Sequence, residues 1–204
     1  MSSKQIITFA LIGLGLSVLS ILTLDYWLAP KVVASESSHK FWNYITNLGS
    51  SGWMAVFIIL WWLAAFALGK AQPTAPKWPN LRKKAALVFA AVAVPGLFIL
   101  IVKFFVGRAR PYTGEIGFFP FTQGSAYASW PSGHTTTAFG FAVAIGLAFP
   151  ALRWPLIAIA ALIGYSRMVL EMHYLGDVIM GATIGTLGAV LVYNWLRPKI
   201  GLKA

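Results

Sequence analysis

Three cations and two imidazoles recur in an ordered pattern along a chain that is otherwise poor in charge. Lys103 leads to Arg110-Pro111, then comes Pro131-Ser132-Gly133-His134, and Ser166-Arg167 is followed by His173 and Asp177. Of the 204 residues, 58% are hydrophobic and only 10% charged. Ionisable groups at the ends of apolar helices are costly to hold beside lipid, so a gathering of them implies a task. These residue types suit phosphoryl chemistry. Arginine grips paired oxygens with a forked donor, lysine adds a point charge, and imidazole can attack or carry a proton.

Each block has a local rationale. Pro131-Ser132-Gly133-His134 stands where a loop becomes a helix, so Ser132 can cap while free N–H groups at the helix end face an anion. Gly133 lets backbone approach that anion closely. His173 and Asp177 are four residues apart, so on a helix they share a face. An aspartate that holds one ring nitrogen leaves the other free to attack, which makes His173 the natural nucleophile. Lys103, Arg110 and Arg167 end or follow apolar helices and would clamp a multiply charged phosphate. Taken singly, the same features also read as a helix cap, a structural His–Asp pair and cations snorkelling to headgroups. No third ligand lies at zinc-like spacing. Arg108 is left out of the clamp and assigned to headgroups or to holding the loop. Glu171 is given the same role, since it would repel a phosphate if it faced the site.

Taken together, Lys103-x6-Arg110-Pro111, Pro131-Ser132-Gly133-His134 and Ser166-Arg167-x5-His173-x3-Asp177 resemble, without a departure, the three-part signature of the type 2 phosphatidic acid phosphatase family. Glucose-6-phosphatases and vanadium haloperoxidases share that signature. The resemblance implies a metal-independent, cofactor-free hydrolase. In it His173 attacks phosphorus to give a phosphohistidine, His134 protonates the leaving oxygen and Asp177 orients His173. Lys103, Arg110, Ser132, Gly133 and Arg167 would hold the phosphoryl oxygens. It further implies a lipid phosphate or pyrophosphate as substrate. Undecaprenyl pyrophosphate and phosphatidylglycerol phosphate come first, followed by phosphatidic acid and the 1-phosphate of lipid A.

The elements that must position these residues are membrane spans. The composition predicts an all-α integral membrane bundle of about six transmembrane helices plus a short interfacial helix, in a single domain covering 1–204. Spans are expected near 5–29, 51–69, 84–106, 133–150, 153–171 and 174–196, with the catalytic blocks in 103–177; each span needs about 20 residues. The net charge of +11 follows topology, not nucleic acid. With a cytoplasmic N-terminus, Lys4, Lys70, Lys77, Arg82, Lys83, Lys84, Arg153, Arg197, Lys199 and Lys203 fall inside, as the positive-inside rule requires. All acids and histidines then fall outside, so the reading is a bacterial inner membrane with an outward-facing site. The first helix is taken as retained. With no cysteine, disulfides and thiolate catalysis are excluded.

Two longer connections lie on the outer side. The segment from Pro30 to Gly52 predicts an interfacial helix with Phe41, Ile45 and Leu48 on one face. The segment from Tyr112 to Trp130 carries Phe118, Phe119, Phe121, Tyr127 and Trp130, suited to interfacial anchoring or to a lid. Pro95 predicts a kink in the third span, and Gly181 with Gly185 a close packing of the last span within the chain. Two other readings use the same residues: a vanadate-dependent haloperoxidase, and a non-enzymatic lipid-phosphate carrier, which would need the cations but not a nucleophile with its own aspartate. Catalysis that requires His173 neutral and His134 protonated predicts a bell-shaped pH–rate profile. A flat profile between roughly pH 5 and pH 9 would count against the assignment.

Overall fold

A computed structural model of the chain describes residues 1–122 and 124–202, leaving Lys203, one of the ten inner-side cations above, outside the described residues. The elements are α1 (Ser3–Thr23), α2 (Asp25–Leu28), α3 (Glu36–Asn47), α4 (Ser51–Ala71), α5 (Lys77–Val106), α6 (Gly133–Ala148), α7 (Arg153–Val169) and α8 (Leu175–Lys199), with short 3-10 turns between some of them. Among the described residues, five stretches are long and apolar enough to cross a membrane: α1, α3 with α4, α5, the α7 region and α8. Their outward residues confirm the solvent they meet. Leu22 is 75% exposed, Leu97 64% and Trp154 73%, which water would not tolerate over so wide a surface.

The sixth expected span, α6, has only 16 residues. It can be short because protein, not lipid, surrounds it: α5, α7 and α8 all pack against it, and ten of its residues are buried. Small side chains make this possible. A Cβ on Gly185 would meet the carbonyl of Thr136 and, at 3.0 Å, the amide of Gly140, while one on Gly181 would lie 2.6 Å from the Ser132 carbonyl. The Gly181/Gly185 pair therefore seats α8 on α6 within one chain.

Helix α5 runs through Pro95 from Lys77 to Val106, and the proline ring fills the space left by Gly188 on α8, so Pro95 is a packing residue between spans. Helix α3 packs on α7 with Ile45 against the core, while Phe41 and Leu48 of the expected face turn outward. Its packing face carries Trp42, edge-on to Tyr165 at 5.3 Å, and the buried Thr46. Thr46 is buried beside Ile45, where its hydroxyl meets an arginine on α7.

Chain direction alternates, so the C-termini of α1, α5 and α7 meet the N-termini of α6 and α8 at one end of the bundle. Basic residues of the α4–α5 and α6–α7 connections and of the end of α8 occupy the other end. Replacement of Gly185 by valine is expected to separate α6 from α8, costing about 1–3 kcal/mol. A lower thermal midpoint in detergent reads this, and an unchanged midpoint would mean that the helix pair yields freely.

Candidate active site

The first block owes its spacing to the end of α5. Lys103 occupies the last helical turn and Gly107 caps the helix with φ +59°, a conformation natural to glycine. A Cβ there would strike the Phe119 carbonyl. The chain then runs extended, and the following loop is laced to it. Phe119 N–H donates to the Gly107 carbonyl at 2.8 Å, Ser129 N–H to Arg108 at 3.0 Å, and Arg110 N–H to Ala126 at 2.9 Å. These bonds fix Arg110 against the bundle end. The described part of the 112–130 loop is thus a wall tied to the first block.

The second block begins α6. Ser132 is the N-cap residue, but its side chain makes no capping bond. Its buried hydroxyl accepts from Thr135 Oγ1 at 2.8 Å, leaving its own hydrogen to donate elsewhere. Gly133 faces Lys103: a Cβ at this position would lie 3.9 Å from Lys103 Cε. The start of α6 thus offers unsatisfied N–H groups beside a lysine.

The third block closes a turn. The Arg167 carbonyl, at the end of α7, accepts from both Met172 and His173 N–H at 3.0 Å, and Glu171 takes φ +55° between them. The five residues separating Arg167 from His173 are the length of this turn, which holds the two side chains at a fixed offset. His173 therefore precedes α8 and does not lie on it, a correction to the helical pairing expected above. Asp177 sits on the first turn of α8 and accepts from Tyr174 N–H at 2.9 Å, stapling that helix start.

His173 Nδ1 stands 3.5 Å from Asp177 Oδ2, longer than a tight hydrogen bond. Asp177 has closer partners: Arg108 Nη1 on Oδ1 at 2.5 Å and Ser129 Oγ on Oδ2 at 2.5 Å. Arg108 does not reach for headgroups. It is fully buried, with its other nitrogen Nη2 2.9 Å from Asp25 Oδ2 and its guanidinium carbon 4.2 Å from the centre of the Tyr174 ring. Burial alone opposes its charge, but Asp177 and Asp25 more than reverse that and raise its pKa. Asp25 is itself buried, held by Ser20 Oγ at 2.6 Å and Gly176 N–H at 2.9 Å.

The other three cations differ from Arg108. Lys103 Nζ donates to the Ala128 carbonyl, Arg110 Nη1 contacts Met172 Sδ at 3.3 Å, and Arg167 Nη1 donates to Thr46 Oγ1 at 2.7 Å. Among the described residues none of the three is ion-paired, and, like that of Arg108, the Nε atoms of Arg110 and Arg167 are buried without a partner. The three lie close enough to one another and to His134 to act on its charge. Unpaired positive charges brought together in this way are complementary to an anion with several oxygens. The structure thus brings together Lys103, Arg110, Ser132, Gly133, His134, Arg167, His173 and Asp177. Glu171 lines a separate surface depression with Tyr26 and Glu115. Sequence reasoning missed Asp25, Ser129 and Thr46. The one available signal was Asp25, a single acid closing an otherwise apolar run.

A groove of about 700 Å³ leads away from His134 and Gly133 between α4, α5 and α6, lined among others by Ala55, Val92, Gly96 and Leu100. Leu97 and Leu100 on its margin face the bilayer. One end of the groove meets the ionic cluster and the rest is mostly apolar, with Ser50, Ser51 and Thr137 among its lining.

The sequence pattern of the PAP2 superfamily matches residues 84–200. The chain is 32% identical over 192 residues to a lipid A 1-phosphatase of Rhizobium johnstonii, spanning 88% of this chain and 76% of that protein. A transmembrane PAP2-type phosphatidylglycerolphosphate phosphatase from Bacillus subtilis superposes with a TM-score of 0.72 over 97% of each chain at 21% identity. Aquifex aeolicus LpxE does so with 0.64 over 84% of this chain and 96% of its own, also at 21% identity. At that identity the two structures establish a common fold.

Burial pushes His173 well below the ordinary histidine range, to about 3; Asp177 opposes the shift, while Lys103 and Arg167 add to it. The imidazole is therefore neutral over the whole physiological range, as a nucleophile must be. For the bell expected from sequence, this places the acid limb belonging to His173 below roughly pH 5. NMR of histidine-labelled protein in detergent should find the His173 ring uncharged at pH 5. Titration near the free-imidazole value of about 6.5 would show a hydrated, unshielded ring.

Proposed function

The chain belongs to the PAP2 superfamily and is a multi-pass membrane lipid phosphatase of that type, and we propose that it releases the terminal phosphate of a lipid phosphate through a phosphohistidine, without a metal. The observation that carries this reading is the company of three unpaired cations with a neutral histidine whose Nδ1 faces a carboxylate. The carboxylate side fixes Nε2 as the attacking atom. A P–Nε2 bond forms as the bond from phosphorus to the lipid oxygen breaks, and that oxygen takes its proton from His134. Water then attacks phosphorus, gives a proton back to His134 and releases inorganic phosphate and free His173. Lys103, Arg110, Arg167, the Ser132 hydroxyl and the Gly133 amide bear on the oxygens where charge accumulates.

The groove beginning at His134 suits a hydrocarbon chain, since the leaving lipid oxygen must lie beside the acid that protonates it. The Rhizobium relative moves the 1-phosphate of lipid A to the front of the candidate substrates, ahead of undecaprenyl pyrophosphate and phosphatidylglycerol phosphate. Cations concentrated at the end away from the site support cytoplasmic termini and a site on the outer face of a bacterial inner membrane.

Phosphate release should be followed on a panel of lipid A 1-phosphate, undecaprenyl pyrophosphate, phosphatidylglycerol phosphate and phosphatidic acid in detergent with EDTA. Lipid A 1-phosphate is expected to be cleaved fastest, and His173→Ala to abolish turnover on every member. Full activity in His173→Ala, or activity lost to EDTA, would refute the reading. Gly96→Trp, which fills the groove at a position with open space, is expected to raise KM for long-chain substrates while sparing a short-chain phosphate ester.

A further inference from the structure

The signature specifies nothing at Arg108 and nothing in the first helix, yet both regions converge on Asp177. Arg108 Nη1 meets Asp177 Oδ1 at 2.5 Å and Nη2 meets Asp25 Oδ2 at 2.9 Å, with all three side chains fully buried. Asp25 is fixed from two sides, by Ser20 of its own segment and by the Gly176 amide of α8. Gly176 also admits this approach, because a Cβ there would stand 2.9 Å from Asp25 Oδ2. Ser17 adds a further tie, donating to the Gly176 carbonyl at 2.8 Å. Such redundancy is more than a membrane helix needs for packing.

We propose that Asp25 and Arg108 are positioning residues for phosphoryl transfer: Asp25 anchors Arg108, and Arg108 holds Asp177 by Oδ1 so that Oδ2, also held by Ser129 and the Tyr174 amide, is turned toward His173. The inference rests on the reading of His173 as nucleophile. The electrostatic reason is a count of charges. Arg108 alone would neutralise Asp177 and leave His173 without net support when attack makes its ring cationic. Asp25 shares the guanidinium, so the buried trio of two carboxylates and one cation keeps one negative charge behind His173. That charge stands against Lys103 on α5 and Arg167 on α7, which disfavour a cationic ring, with Arg110 and His134 adjoining them. Tyr174 covers the guanidinium face and keeps the trio dry, which strengthens the coupling.

The test compares Asp25→Asn, Asp25→Glu and Arg108→Lys with the wild type in detergent, using a lipid phosphate that the wild type cleaves and correcting for the folded fraction by size-exclusion chromatography. Asp25→Asn preserves shape but removes the charge. It should lower kcat and the rate of phosphohistidine formation by about 10–100-fold, with KM and inhibition by inorganic phosphate within about twofold, because the clamp is untouched. Asp25→Glu should recover most of the loss. If Asp25→Asn does not accumulate as folded protein, Arg108→Lys carries the same expectation, since lysine keeps the charge but cannot bridge two carboxylates. Wild-type kcat in Asp25→Asn or Arg108→Lys, or parallel loss of turnover and phosphate inhibition, would overturn the proposal. Failure of the wild type to form any phosphohistidine would instead remove the phosphatase mechanism on which it rests.

Discussion

A guanidinium sealed in a helical bundle is the constraint around which the reactive end of this molecule is arranged. Stripping water from an arginine and two aspartates is expensive, and removing one partner from such a buried group typically costs about 3–5 kcal/mol. Arg108 therefore cannot relax outward without abandoning both carboxylates, and neither carboxylate can move without exposing the guanidinium. The end of the first span, the connection after α5 and the start of α8 are locked into one relative position. Small residues permit this lock to close. Gly176 and Gly181 bring α8 near enough to the first helix and to α6 for backbone groups to supply the remaining hydrogen bonds.

Charge is thereby divided into two kinds. Arg108 is ion-paired to two carboxylates and serves the scaffold. Lys103, Arg110 and Arg167 are held by neutral atoms, namely a carbonyl, a thioether and a hydroxyl. Neutral anchors fix the direction of a cation without cancelling its charge, so the electrostatic demand is kept for an incoming anion. Thr46 illustrates the arrangement: a polar residue on an amphipathic helix is buried to orient an arginine on a different helix, 121 positions away.

That separation explains what was legible in the sequence. The three blocks are local, and their spacings encode local events: a left-handed cap after Lys103, a helix start at Ser132, and a turn that folds His173 back onto the Arg167 carbonyl. The membrane class and the apolar spans followed from composition, and all eight site residues expected from the blocks came together. What stayed hidden is nonlocal. Arg108 and Asp177 are 69 positions apart and Asp25 and Gly176 are 151 apart, so no periodicity or spacing could join them. His173 and Asp177 do meet, but across the start of α8, because that helix begins two residues after His173. The length rule for spans fails at α6 because that helix has protein on nearly every side.

The groove beside α4 and α5 has a consequence for how turnover is counted. Its apolar walls continue into the bilayer, so a bound chain need never leave the hydrocarbon and only the phosphate crosses into water. Encounter is then a search in two dimensions. The quantity that saturates such an enzyme is the mole fraction of substrate in the surface, and diluting that surface with inert lipid or detergent acts as competition even when nothing binds the site.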